Sequence, residues 1–296
     1  MYSSAASSIA LATTSLLYKI ESAMTQSYPQ DLVDSLSAGE GIAIIGSGPS
    51  VAAGLPTWTH LLSLMIDECA KQLVGFKQRN ELHALLRKGH LLEVADECSK
   101  LLGGYLFRDF IQKLFRNPAV RPVRLHELIV QLPFSAILTT NYDDLLERAY
   151  VLKNHTDVYP LVFSRDNVAQ LPRLASEKRF FILKLHGDSN NIETLVLTKR
   201  DYMEVIHRDQ IYRTVLSSML ATHTAIFIGY GLRDYDLNLI LGEQAALFNS
   251  FGRRHYAFLA NPGTVLPKSL SDHYNLRLFL TGHDEITLNW RVCYPN

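Results

Sequence analysis

Gly41-Ile42-Ala43-Ile44-Ile45-Gly46-Ser47-Gly48-Pro49-Ser50-Val51-Ala52-Ala53-Gly54-Leu55-Pro56-Thr57-Trp58 decides how this chain is built. Ile42, Ala43, Ile44 and Ile45 form a continuous apolar run, the pattern of a parallel strand covered on both faces. The run leads into a glycine-rich turn and then a helix. Gly46 and Gly48 lack the β-carbon that would hold a diphosphate off the backbone N–H groups, and the residues from Ser50 onward offer a helix N-terminus to its charge. Gly-x-Gly after a strand also serves nucleotide binders of many chemistries, and a tight turn with no ligand has the same sequence. The third glycine of the usual dinucleotide fingerprint is displaced here to Gly54. The stretch by itself therefore predicts an α/β chain and leaves the ligand to other motifs.

Further apolar runs end on polar or glycine tips. Phe134-Ser135-Ala136-Ile137-Leu138-Thr139-Thr140 delivers Asn141-Tyr142-Asp143-Asp144, and Arg179-Phe180-Phe181-Ile182-Leu183-Lys184-Leu185 delivers His186-Gly187-Asp188. Thr224-Ala225-Ile226-Phe227-Ile228 delivers Gly229-Tyr230-Gly231, and the run 254–260 ends on Asn261. In open α/β sheets, ligands bind outside the carboxyl ends of the strands. Asn141 occupies a strand tip, whereas Asp143 or Asp144 equally suits a cap on the following helix. His186, at a strand end beside a glycine, is poised to act as an exposed, tunable base. His126 lies in a short apolar helix and reads as a packing or capping residue.

Between the first two runs, helical apolar spacing over 58–73, 79–87, 90–102 and 105–115 is punctuated by Gly89 and Gly103-Gly104. It predicts helices inserted over the ligand crevice, with Thr57 as N-cap of the first. Residues 10–36 carry a looser helical spacing. Residues 151–178 read as an irregular connection, 192–197 as a short strand, 198–222 as one long helical region and 276–280 as the last clear strand.

Lysine plus arginine and aspartate plus glutamate both number 29, so no net field draws the chain of 296 residues to nucleic acid or an anionic membrane. Hydrophobic residues make up 47%, enough to build the core of one large α/β domain. Cys69, Cys98 and Cys293 are far apart and form no Cys-x-x-Cys pair. That excludes a zinc ribbon, argues against a disulfide framework and places the chain in a reducing compartment, the cytoplasm. No apolar run reaches the ~18 residues of a membrane span, and the Ser- and Ala-rich start lacks the basic n-region of a secretory signal.

In their order these motifs resemble the sirtuin superfamily, in particular its SIR2-like branch without a zinc ribbon, found in bacterial antiviral defence proteins. The matching pieces are Gly46-Ser47-Gly48-x-Ser50, Gly54-Leu55-Pro56-Thr57-Trp58, Thr140-Asn141-Tyr142-Asp143, Leu185-His186-Gly187-Asp188, Gly229-Tyr230-Gly231, Ala260-Asn261 and Gly282-His283-Asp284-Glu285, within residues 40–290. The resemblance implies an α/β fold with a Rossmann-like, sirtuin-like parallel sheet and a helical subdomain inserted at about 67–132 in place of the zinc module. It also implies NAD as substrate, cleaved between nicotinamide and ribose, with no zinc. Gly46, Ser47 and Gly48 would hold the diphosphate, with Ser50, Pro56, Thr57 and Trp58 as further cofactor-binding positions. Asn141 and Asp143 would surround the nicotinamide ribose, and His186 would meet its hydroxyls as base, making Asn141 and His186 the catalytic pair. Gly229, Tyr230 and Asn261 would contact phosphate or the adenosine half. Departure of nicotinamide leaves an oxocarbenium-like cation, which needs an oxygen nearby, a base and exclusion of stray solvent.

Pro56-Thr57-Trp58-Thr59 stands where deacylases of this superfamily carry Pro-Asp-Phe-Arg. Without that loop or a zinc module, the resemblance implies water as acceptor: an NAD hydrolase that depletes NAD in abortive infection. One alternative changes the acceptor, giving an NAD-dependent deacylase or ADP-ribosyltransferase. Another is a catalytically idle NAD- or ADP-ribose-binding module used in sensing or assembly. The branch is restrained by assembly or by a sensor, so a homo-oligomer or a fused or separate sensor-activator protein is the expected partner. Residues 1–39 are expected to be an N-terminal helical extension, and 291–296 a point at which a longer protein would continue.

Overall fold

The run Gly41–Ile45 forms β1, and all five residues are buried. In the computed structural model, which describes residues 29–155, 158–231, 234–248, 251–260, 273–281 and 291–292, β1 lies inside the sheet with a parallel neighbour on each side. These neighbours are β2 (Ala136–Thr139) and β5 (Thr224–Ile228). β3 (Leu161–Phe163), β4 (Phe181–Lys184), β6 (His255–Ala260), β7 (Leu276–Thr281) and β8 (Arg291–Val292) complete the order β3-β4-β2-β1-β5-β6-β7-β8. Every pairing is parallel except that of β7 with β8.

The chain moves outward from β1 through β2 and later returns to β5 on the other side. The carboxyl end of β1 is therefore a topological switch point, and the tips of β2 and β5 flank it. The two faces of the sheet bury separate clusters: Ile42, Ile44, Leu138 and Leu183 on one, Ala43, Ile45, Ile137 and Ile182 on the other. The alternation is the two-residue period of a strand, hidden in the sequence because both faces are apolar.

Between β1 and β2 lie the helices Trp58–Gln72, Arg79–Arg87, Leu91–Phe115 and Arg124–Gln131. Thr57 caps the first: its Oγ1 accepts the His60 N–H at 3.2 Å. Leu62, Met65 and Ile66 from this helix pack with Leu82, Val94 and Ile111 into a third cluster. The expected helices over 90–102 and 105–115 meet at a break at Gly103, whose φ of 65° and ψ of 174° are not helical, so the glycine separates them as its sequence position suggested. Nothing lies within 4 Å of a β-carbon built there, so the position asks only for backbone freedom.

Several local expectations are corrected. Residues 192–197 do not pair as a strand: Ile192–Thr194 is a 3-10 turn, and Leu195, Val196 and Leu197 are apolar because they are buried. The region 198–222 is two helices, Lys199–His207 and Gln210–Thr222, because the Asp209 carboxylate accepts the Tyr212 N–H at 2.9 Å and starts a new one. The connection 151–178 contains the edge strand β3, a 3-10 helix at Arg165–Gln170 and the helix Leu171–Ser176. A three-residue strand is too short to show periodicity. Of the expected helix over 10–36, Gln30–Ser37 is described and residues 1–28 lie outside the described residues. No helix among the described residues is long and apolar enough to cross a membrane.

Candidate active site

The glycines after β1 have a different physical reason from the one their sequence suggests. A β-carbon at Gly46 would sit 2.5 Å from the Gly229 oxygen and the Tyr230 Cα, and one at Gly48 would sit 2.7 Å from the Gly229 Cα. The Gly46 N–H donates to the Ile228 carbonyl at 3.1 Å and the Gly48 N–H to the Gly229 carbonyl at 2.9 Å. These two amides therefore face the turn after β5 rather than a diphosphate. The helix that follows, Gly48–Ala52, starts earlier than expected, and Ser50 lies within it.

Ser50 is 3% exposed and joins two strand tips. Its hydroxyl donates to Asp143 Oδ2 at 2.8 Å and accepts from Asn141 Nδ2 at 3.0 Å. Asn141 Nδ2 also donates to the Gly46 carbonyl at 2.9 Å, which fixes the orientation of the amide, since only its nitrogen can donate to a carbonyl. Both amide hydrogens are thus committed, while among the described residues no hydrogen bond engages Asn141 Oδ1. Thr139 steadies the backbone: its hydroxyl donates to the Ile45 carbonyl at 3.0 Å and accepts the Asn141 N–H at 3.1 Å. Asp143 accepts from Ser50 on one oxygen and from the Leu145 N–H on the other at 3.1 Å, the second being the capping role its sequence allowed.

His186 lies two residues past Lys184, the last residue of β4, and at 4% exposure it is buried, not the exposed base its strand-end position suggested. Its Nε2 lies 3.3 Å from both carboxylate oxygens of Asp236, itself 2% exposed, and its Nδ1 lies 4.0 Å from Asp234. Burial works against the imidazolium, but the nearby carboxylates of Asp236 and Asp234 outweigh it and hold the imidazole pKa above its ordinary value. Burial likewise works against the Asp236 carboxylate, yet His186 holds its pKa below the usual range. Tyr202 packs edge-on against the imidazole, with centroids 5.5 Å apart, and its hydroxyl donates to Asp234 at 3.3 Å. His186, Asp234 and Asp236 are also a His/Asp cluster of the kind that can gather round a cation. The two carboxylates nevertheless lie against different ring nitrogens, Asp236 within hydrogen-bond reach of Nε2 and Asp234 at ion-pair distance from Nδ1, which suits an imidazolium.

Gly187 turns the chain after the histidine at φ 86°, and a β-carbon there would overlap the backbone of Thr194. Gly187→Ala is therefore expected to cost about 3 kcal/mol, from left-handed strain plus overlap. Gly103→Ala, unobstructed but at φ 65° and ψ 174°, a conformation essentially confined to glycine, should cost less, about 2 kcal/mol. Urea denaturation checks the ranking, and equal losses would contradict it.

A cavity of about 500 Å³ opens at these tips, within the usual range for a small-molecule site. Gly46, Ser47, Ser50, Pro56, Thr57, Trp58, Asn141, Asp143, His186 and Tyr230 line it, whereas Gly48 and Gly229 do not. Asn261, like 282–285, lies outside the described residues. Leu91, Leu92 and Phe115 from the inserted helices also line the cavity, together with Leu55 and Leu61. Asp234 lines the cavity on the Nδ1 side of His186, while Asp236 sits on the protein side. The sequence offered one signal for this pair, two carboxylates shortly after a Gly-x-Gly strand tip. It offered none for Tyr202, Leu92 or Phe115, which arrive from distant helices. His126 is fully buried, and its Nδ1 accepts the Val123 N–H at 3.2 Å, a capping role as expected.

Residues 135–279 match the family described as the SIR2-like domain. Among curated proteins, the chain is 24% identical over 250 residues to defense-associated sirtuin 2 of Bacillus subtilis, covering 83% of this chain and 23% of that protein. It is 26% identical over 247 residues to the NAD(+) hydrolase ThsA of Cytobacillus dafuensis, covering 82% and 46%. It is 30% identical over 234 residues to the NAD(+) hydrolase ThsA of Acinetobacter baumannii (strain 532279), covering 76% and 43%. The chain spans less than half the length of these relatives. Among solved structures it is similar to Sir2Tm bound to a propionylated peptide, with a TM-score of 0.42 and 12% identity over 88% of this chain and 93% of that one.

Proposed function

We propose that this chain, whose residues 135–279 match the SIR2-like domain, hydrolyses NAD, breaking the nicotinamide–ribose bond and passing the ribose cation to water to give nicotinamide and ADP-ribose. One observation carries this: Asn141 and His186 line the same cavity, the first with its amide oxygen unengaged and the second braced by two carboxylates. As nicotinamide leaves, positive charge develops on the ribose, and an amide oxygen held in advance stabilises it without reorganising. Asp236 keeps a proton on His186 Nε2, so Nδ1, on the cavity side, is the nitrogen that takes a proton from water or a ribose hydroxyl. The apolar side chains that the inserted helices add to the lining limit stray water.

The names of the relatives, NAD(+) hydrolase and defense-associated sirtuin, support NAD hydrolysis and a part in defence, and we extend this to an antiviral, NAD-depleting role. Such an enzyme endangers its own cell. We place it in the cytoplasm, silent until homo-oligomer assembly or a sensor partner releases it.

The test is incubation of purified protein with NAD and no peptide, followed by chromatography of the products. Nicotinamide and ADP-ribose in equal amounts are expected. Nicotinamide formed only when an acylated peptide is added would replace the proposal with a deacylase. Binding of NAD without turnover by the assembled protein would replace it with a binding module.

A further inference from the structure

Lys184, on β4 two residues before His186, is a fully buried cation. Its ammonium group donates to the Asp143 backbone carbonyl at 2.6 Å and pairs with Glu147 Oε1 at 2.9 Å and Asp188 Oδ2 at 3.0 Å. Three protons thus meet three acceptors, drawn from the loop after β2, the helix Leu145–Asn154 and the turn after β4. Burial works against this charge, but Glu147 and Asp188 more than offset it and keep the amine protonated. An apolar side chain of similar volume would usually serve the fold at least as well as such a buried ion cluster. The cation instead ties together the two loops that carry Asn141 and His186. From Asp143 the connection continues through the Ser50 hydroxyl to the Asn141 amide.

We propose that Lys184 is a positioning residue for NAD cleavage, holding the Asn141 amide, through Asp143 and Ser50, in register with the turn that carries His186. The proposal rests on the hydrolase function argued above. Lys184→Met alone would strand the buried Glu147 carboxylate, and with it the partly buried Asp188, and threaten folding, so the informative variant is Lys184→Met with Glu147→Gln, which leaves the net charge unchanged and is close in volume. Two readouts are compared with the wild type: the side-chain ¹⁵N–¹H signal of Asn141, assigned by its loss in Asn141→Ala, and steady-state kinetics of nicotinamide release.

The double variant should unfold cooperatively, shift or broaden the Asn141 signal, and lose at least about tenfold in kcat with KM within about threefold, since small misplacements of catalytic groups are costly. Glu147→Gln alone, which keeps the bond from Lys184 to Asp143, should stay within about threefold of wild type in kcat. An unmoved Asn141 signal, an unchanged kcat in the folded double variant, or a loss of activity that merely tracks the folded fraction would each overturn the positioning role. If the wild type itself releases no nicotinamide, the hydrolase function fails, and the Asn141 signal still decides whether Lys184 positions that amide.

Discussion

Asn141→Ala is expected to slow nicotinamide release on the order of 10²- to 10³-fold, the loss typical when one preset electrostatic group is removed from an active site. ADP-ribose should still bind within about threefold, because an interaction made chiefly in the transition state affects turnover and not ground-state binding. The structural cost is small enough to separate from the chemistry. Alanine deletes the bonds to the Gly46 carbonyl and Ser50 Oγ, but Ser50 still donates to Asp143, and Gly46 stays fixed by its own N–H to Ile228. A loss of about 1–3 kcal/mol follows from leaving buried groups partly unpaired, not unfolding. Nicotinamide release, calorimetric titration with ADP-ribose and a melting curve measure the three quantities. An activity within threefold of wild type would remove Asn141 from the mechanism.

The strand tips are visible in the sequence because a strand buried on both faces is written as an unbroken apolar run, and whatever polar residue ends it stands out. Asn141 and His186 stand out in this way, and the structure puts both on one cavity. What fills the space around a residue is not written locally. Gly46 and Gly48 signal close approach, but the approaching group is the backbone of Gly229, more than 180 residues onward. Asp234 and Asp236 look like the acidic start of a helix, which Asp236 also is. Their partner His186 lies 50 residues before Asp236 and arrives only through the pairing of β4 with β2 and β5 with β1. Lys184 is a lone charge in an apolar strand, and its three acceptors come together only once β2 and β4 are paired.

His186→Ala should cost activity on the order of 10²- to 10⁴-fold, the usual worth of a general base, and stability as well. Asp236 is 2% exposed and would lose the cation beside it, a break expected to cost about 3–5 kcal/mol. Adding Asp236→Asn removes the stranded charge, so His186→Ala with Asp236→Asn should regain most of the stability and none of the activity. That separation assigns the chemistry to the imidazole and the stability loss to the unpaired carboxylate.

The pH dependence follows from the two shifts. The lowered Asp236 pKa contributes stability that is present above its unfolded value near 3.8 and lost as pH falls through the folded value. The raised His186 pKa contributes stability that is full below its unfolded value near 6.5 and fades as pH climbs through the folded one. Wild-type stability should therefore decline on the alkaline side of neutrality by an increment that His186→Ala lacks. Activity should run the other way if His186 acts as the proposed base, which must first shed its proton: the acidic limb of kcat should sit above the ordinary imidazole range and move to lower pH in Asp236→Asn. A limb that stays in place in that variant, with the stability increment also unchanged, would mean that the His186–Asp236 contact does not set the charge on the imidazole.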